Sequence, residues 1–425
     1  MLPLGLSFQQ APPPSIPLRF FVTAPLFLLA AALLLTWEGP QALAVRNGPV
    51  ALALTHLITL GGSTMVMCGA LLQLMPVATG LQWPFPRQLA TLVHVGLTLG
   101  ALLLPLAFLW HQRAVMALAV LSLGIALGTF VLAFLARFRR FPLPPPSLHT
   151  QRLALLALGV TLTLGVTLGL ARYEPLSIPY QHLAALHPLW GLLGWTGLLI
   201  AGVAYLLVPM FYLTPDYPKP FTAGFATIVF GLLTLRTFAA DTAPFTDSAL
   251  GLSALLFAGI TWQRLLARKR QVADVSRPFW HLGLAALMVA GMLGCLLPWA
   301  SPATAEVLAG MLGMALLPGF ILTLINGMAY KIVPFLVWFH LQSAHPRLGV
   351  VPNVRQIQSG LHGKAQMALH GVTCCLLLAA CWEPALMRSA GLLWALDALW
   401  FEVNMLRMAG LVIRIHRVAR MHAAV

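Results

Sequence analysis

The sequence predicts an all-α, polytopic membrane protein with about twelve transmembrane helices, on the basis of its composition, its apolar runs and the placement of its charges. Of 425 residues, 60% are hydrophobic and only 8% are charged, and the mean hydropathy is +0.88. Soluble domains carry roughly 25% charged residues. Most of this chain must therefore be solvated by lipid, and the bilayer is its first predicted partner.

The apolar runs give the predicted helices in order. A helix crosses the hydrocarbon core with about 20 apolar residues, and its backbone hydrogen bonds are satisfied internally, as lipid requires. No cleavable signal peptide is recognised at the start. The chain 1–425 is predicted to be a single integral membrane domain, with an N-terminal tail at about 1–18 and a cytoplasmic tail at about 414–425. The predicted spans are 19–37, 50–76, 88–110, 114–136, 153–171, 187–212, 221–240, 248–266, 279–299, 305–338, 365–381 and 389–413.

The basic residues predict the orientation of the helices, because lysine and arginine in short loops stay in the cytoplasm. Only five of the 25 lie at or beyond the outer ends of odd-numbered spans, and the other twenty lie in the remaining loops, at the termini or at the cytoplasmic ends of spans. We therefore expect a multi-pass protein of the inner (plasma) membrane with both termini cytoplasmic. The net charge of +15 then indicates topology and contact with anionic lipid, and no nucleic acid partner is expected. The five basic residues on the outer side are Arg46, Arg113, Arg172, Arg236 and Arg388.

Three even-numbered spans contain a glycine followed seven residues later by a proline, at Gly69 to Pro76, Gly202 to Pro209 and Gly327 to Pro334. All three run in the same direction through the predicted membrane. This pattern predicts a parallel repeat, with the helices in three quasi-equivalent arcs. Residues 92–96 and 368–372, each with a central histidine, also resemble one another.

Histidines are the candidate ligands, because a histidine in a transmembrane segment is costly and marks a functional site by default. His56 and His187 are predicted near the outer face. Four more are predicted near the inner face, namely His94, His281, His340 and His370. A hydrogen-bonded histidine that packs between helices is the alternative. Glycines follow both outer histidines, and they would let either a helix or a flat cofactor approach closely. A neutral imidazole can bind iron or copper.

Segments 55–77 and 187–209 resemble spans of the catalytic subunit of haem–copper oxidases and nitric oxide reductases. The resemblance implies twelve helices in three arcs, with His56 as a haem ligand and His187 near the position of a copper ligand. The adjacent His-His pair that holds copper in that family is missing here, so the chain resembles a divergent member.

The resemblance implies a redox protein that binds one or two b-type haems, with copper as a further metal to be considered. It would handle electrons or a diatomic gas, nitric oxide or oxygen, without the usual copper centre. A quinol or a cytochrome would be the electron donor, and a homo-oligomer is left open. Two axial ligands should lie at matching depth, which favours His56 with His187 on the outer side. On the inner side the same rule favours His94 with His370, and His281 could replace one of them.

Further polar residues lie within predicted spans, among them Tyr330 and Lys331 in the tenth and Asp397 and Glu402 in the twelfth. One interpretation is an ion pair between helices, such as Glu402 with Lys331 or Arg407. The other is a proton path, or a carboxylate that orients a ligating imidazole.

An alternative function of another class is a non-redox transporter or metal-handling membrane protein. In it, the intramembrane histidines and Glu402 would line a translocation path. Motifs of nucleotide-binding proteins and hydrolases are not found in the sequence.

Overall fold

The computed structural model describes residues 10–174, 176–269, 274–344, 352–358 and 360–423, and the regular structure in these ranges is entirely helical. Ten of the described helices are long and apolar enough to cross a membrane. The chain is therefore a polytopic helical membrane protein. We number these helices α1 to α10: Ser15–Leu43, Pro49–Thr79, Pro86–Trp110, Arg113–Phe138, Pro146–Ala171, Tyr180–Tyr212, Lys219–Phe238, Ala240–Leu266, Ser276–Trp299 and Pro302–Gln342.

Two more long helices follow, α11 (Gly360–Ala379) and α12 (Met387–Ala423). They coincide with the last two predicted spans but are outside the set of ten, so the count of twelve spans stays a prediction, as do the three arcs. The segment predicted as a C-terminal tail continues helix α12 as far as Ala423.

Helix starts are the least accurate part of the sequence prediction. Helices α5, α6 and α8 begin seven or eight residues earlier than predicted, at Pro146, Tyr180 and Ala240. The reason is that a helix continues beyond its apolar run into residues that suit the membrane surface, while hydropathy registers only the apolar run. Proline occupies the first turn of several helices, where its missing N–H costs nothing.

The helices form two compact units, each assembled from separate stretches of the chain. The first comprises the described parts of 1–95, 274–282 and 322–425, and the second comprises those of 96–273 and 283–321. In the first unit, α1 packs closely against α2, since a Cβ on Gly69 would lie 2.5 Å from the Cβ of Phe20. In the second, α5 packs closely against α6, since Ser147 Oγ donates to the carbonyl of Gly202 at 2.5 Å.

Candidate functional site

Three π-helical segments mark equivalent positions in α2, α6 and α10. They are Leu57–Thr64, Trp190–Gly197 and Ala315–Leu322, eight residues each. Each ends five residues before the glycine of the sequence repeat. The repeat seen in the sequence is therefore also a repeat of local backbone structure. Wide π-helical turns are rare and occur frequently at functional sites.

Hydroxyl side chains accompany the first of these segments. Thr55, Thr59 and Ser63 each donate to the carbonyl four residues earlier, at 2.7 to 2.9 Å. Such bonds compete with the α-helical ladder and loosen it, which favours the wider turn. The π-helical segments themselves were not predicted from the sequence.

His56 is the last residue before the first π-helical segment, and its side chain is half-buried. Its Nδ1 lies 2.7 Å from the carbonyl oxygen of Leu52, one turn earlier in the same helix. A carbonyl can only accept, so Nδ1 carries the proton and Nε2 carries the lone pair. This is the tautomer of a histidine that binds a metal through Nε2.

His187 lies three residues before the second π-helical segment and is also half-buried. Its ring lies against Gly165 of α5, where a Cβ would come within 3.0 Å of the imidazole Cε1. Glycine at position 165 therefore makes room for this imidazole.

The glycines that follow the outer histidines have a clear packing role. A Cβ on Gly61 would lie 2.2 Å from the ring of Phe27 on α1, and one on Gly194 would lie 2.8 Å from the Cβ of Ala157 on α5. The sequence left open whether these glycines make room for a helix or for a flat cofactor. At both positions a neighbouring helix lies close to the glycine.

His370 is the centre of a buried polar cluster in the first unit and is 1% exposed. Its Nδ1 donates to Asp397 Oδ2 at 2.7 Å, and its Nε2 lies 2.9 Å from Thr323 Oγ1. Gln366 Nε2 donates to the other oxygen of Asp397 at 2.6 Å, and Cys374 Sγ lies 3.6 Å from His370 Nε2. Asp397 therefore orients an imidazole in the way expected of a carboxylate near a ligand, and Thr323 already contacts the other ring nitrogen.

His94 occupies a similar place on α3, half-buried, with its Nε2 2.9 Å from Thr23 Oγ1 of α1. The edge of the Phe20 ring meets its imidazole at a centroid distance of 5.0 Å. Haem binding by His94 and His370 stays a prediction, and it would require both threonine contacts to break.

The predicted pairing of Lys331 is wrong. Lys331 forms its ion pair with Asp274, just before α9, and not with Glu402. Glu402 is 5% exposed, and its Oε2 has no hydrogen-bond partner within the described parts of the chain. The sequence gives the depth of a residue along a helix but not the direction of its side chain, and Asp274 was overlooked because it lies between two spans.

The neighbours of Asp274 lower the pKa of its carboxyl. Burial raises the pKa of its carboxyl, but the ammonium of Lys331 and the hydroxyl and N–H of Ser276 outweigh burial and hold that pKa below its ordinary 3.8. Nearby, the hydroxyl of Tyr330 accepts a hydrogen bond from Asn404 at 2.8 Å. The proton path through Tyr330, Lys331, Asp397 and Glu402 stays a prediction.

His281 is half-buried on α9, and its predicted role as a metal ligand stays a prediction. Among the described residues, no group of three or more histidine, cysteine, aspartate or glutamate side chains is arranged to hold a metal ion. A copper site has no support beyond the resemblance.

The sequence prediction missed several residues of the cluster around His370. Gln366, His370 and Cys374 are spaced at four residues on α11, so one face of that helix carries all three. That spacing could have identified Gln366 and Cys374 in advance. Thr323 could not have been found in this way, because its contact depends on how α10 packs against α11.

No protein family model matches this chain, and no curated protein matches it significantly.

Proposed function

We propose that this chain is a membrane haem b protein in which His56 binds the haem iron. The role of His187 as a ligand stays a prediction from the sequence. The observation that carries the proposal is the 2.7 Å contact between His56 Nδ1 and the carbonyl of Leu52. That contact orients the imidazole and leaves the lone pair on Nε2, the atom that binds iron. A bound haem would supply one-electron transfer or the binding of a diatomic gas.

The position of His56 adds support. It is half-buried at the start of a π-helical segment, a backbone form that is enriched at functional sites. His370 is fully enclosed, its Nδ1 donates to Asp397, and its Nε2 contacts Thr323. Iron binding at His370 would have to break the Thr323 contact in a buried cluster, so we assign the iron to His56 rather than to the inner pair.

Absorption spectroscopy of the protein purified in mild detergent tests the proposal. We expect a Soret band and sharp bands on reduction in the wild type, and their loss in His56→Ala. His149→Ala is the matched control. His149 contacts Thr227 at 3.2 Å and is not a predicted haem ligand, so this variant should keep the spectrum. A colourless wild-type preparation that remains colourless after haem is supplied would contradict the proposal.

A second candidate is a non-redox transporter, and Glu402 is the observation that favours it. Glu402 is 5% exposed within a long helix, and its Oε2 has no hydrogen-bond partner among the described residues. Buried carboxyls of this kind are typical of ion or substrate pathways. Uptake of Zn²⁺ by proteoliposomes tests this function. Uptake that is lost in Glu402→Gln would support a transporter, and absence of uptake by the wild type would count against it.

A further inference from the structure

An aromatic cluster in the second unit lies beside two donor groups, one of its own and one of Arg264, that have no acceptor among the described residues. Tyr205 of α6, Tyr217 and Phe221 form the cluster, with ring centroids 5.1 Å apart for the two tyrosines and 5.9 Å apart for Tyr205 and Phe221. Tyr217 and Phe221 are stacked at 6.3 Å. The cluster lies where the chain leaves α6 and enters α7, which is at a membrane surface.

The first of these donors is the hydroxyl of Tyr205, which is buried and has no hydrogen-bond partner among the described residues. The hydroxyl of neighbouring Tyr217 does have one, Thr261 Oγ1 of α8 at 3.2 Å. Tyr217 is 5% exposed, and burial holds the pKa of its hydroxyl well above its ordinary 10.0. It therefore stays neutral and adds no negative charge to the cluster.

The second donor is Nε of Arg264, one helical turn beyond Thr261 on α8. This atom is also buried without a partner within the described ranges. The same guanidinium uses Nη1 to contact the backbone carbonyl of Asp216 at 3.4 Å, which holds it beside the segment that carries Tyr217. Arginine can only donate, so what Nε needs is an acceptor.

The electrostatics of this membrane surface favour an anion as that acceptor. Lys269 lies at this end of α8, where its backbone N–H bonds to the carbonyl of Leu213, and Lys219 begins α7. Arg268 adds a further positive charge, and Asp216 carries the negative charge between α6 and α7. Buried polar groups are normally hydrogen-bonded, and basic groups between transmembrane helices bind anionic headgroups.

We propose that Tyr205 and Arg264 bind the phosphate of an anionic membrane lipid at this cluster. Arg264 donates a charge-assisted hydrogen bond to a phosphate oxygen, Tyr205 donates a second one, and the rings of Tyr217 and Phe221 contact the apolar part of the lipid. The proposal is independent of haem binding.

Native mass spectrometry tests the proposal on the full-length protein in nanodiscs of phosphatidylcholine with 20 mol% phosphatidylglycerol, roughly the anionic fraction of a biological membrane. We expect phosphatidylglycerol to be retained selectively on the wild type. Its retention should fall about tenfold in Arg264→Gln, because one charge-assisted hydrogen bond is lost. Tyr205→Phe, which removes only the hydroxyl, should cause a smaller loss.

Arg139→Gln is the matched control, because it removes the same charge from an exposed arginine and should leave retention unchanged. Inorganic phosphate added as a competitor of the lipid distinguishes a lipid headgroup from free phosphate. Competition by millimolar phosphate would support a phosphate site that is not specific for lipid and would overturn the assignment to lipid. Equal retention in Arg264→Gln and wild type, with both proteins folded by circular dichroism, would overturn the proposal as a whole.

Discussion

His94 and His370, both in the first unit, have similar packing contacts but neighbours of opposite charge. His94 and His370 each contact a threonine hydroxyl through Nε2 at 2.9 Å, and each lies near a phenylalanine ring. Those phenylalanines, Phe20 and Phe279, each pack against the glycine of a sequence repeat, Gly69 and Gly327 respectively. The repeat therefore places an aromatic ring beside a histidine in both halves of this unit.

The difference between the two lies in the charged neighbour. His370 is bonded to the carboxylate of Asp397 and is 1% exposed. His94 is half-buried. The charged residue on α1 nearest to its partner Thr23 is Arg19, one turn away, and the guanidinium of Arg19 donates to Thr91 Oγ1. The two copies of the repeat thus keep similar packing while the charged residue beside the imidazole differs.

Loss of Asp397 should have the largest effect. Asp397→Leu removes the acceptor of both His370 Nδ1 and Gln366 Nε2 and leaves two buried donors unpaired, so we expect the free energy of unfolding to fall by about 3 kcal/mol. Asp397→Asn keeps an acceptor and should cost less. Unfolding in mixtures of mild and denaturing detergent measures both, and equal stability of Asp397→Leu and wild type would show that the pair is not a stabilising contact.

The matched change beside His94 should be much weaker. Arg19→Leu removes exposed hydrogen bonds to Ser15 and Thr91, and contacts of this kind contribute about 0 to 1 kcal/mol. A loss as large as that of Asp397→Leu would mean that the two imidazoles depend equally on their charged neighbours.

The repeated glycines test whether the two copies share their packing. Alanine at Gly69 or Gly327 would bring a Cβ within 2.5 Å of a phenylalanine Cβ, and overpacking of this kind costs about 1–3 kcal/mol. Both variants should lose stability by similar amounts in the same unfolding assay. Gly231→Ala on α7 has nothing within 4 Å and should be neutral or slightly stabilising.

The threonine contacts should give a smaller effect. Thr323→Val and Thr23→Val each remove the hydroxyl at His370 or His94 with little change in shape. We expect a cost of about 1 kcal/mol, larger at Thr323 because that imidazole is fully buried. Detergent unfolding measures the two variants in parallel. A larger loss for Thr23→Val would contradict the difference in burial on which the comparison depends.

The smallest expected effect depends on pH. The pKa of Asp274 is lower in the folded protein than its ordinary 3.8, so the pair with Lys331 stabilises the fold above that pH. The contribution is lost as the pH falls through the lowered pKa. The difference in thermal stability between wild type and Asp274→Asn should therefore shrink below about pH 4. A constant difference down to pH 3 would contradict this assignment.

Much of the helical fold could be predicted from the sequence, because apolar length alone decides whether a segment can cross a bilayer. The repeat was visible through Gly69, Gly202 and Gly327. The sequence also predicted that a buried carboxylate could orient an imidazole, but it did not identify His370 as the partner of Asp397. Contacts such as Lys331 with Asp274 depend on the rotation of a helix about its axis, which hydropathy does not report.

The molar ratio of haem to protein in purified single variants distinguishes His56 from His370 as the residue proposed to hold the iron. We expect wild type and His370→Ala to contain haem in the same ratio and His56→Ala to contain almost none. Full haem content in His56→Ala, with loss in His370→Ala, would overturn the assignment of the iron to His56.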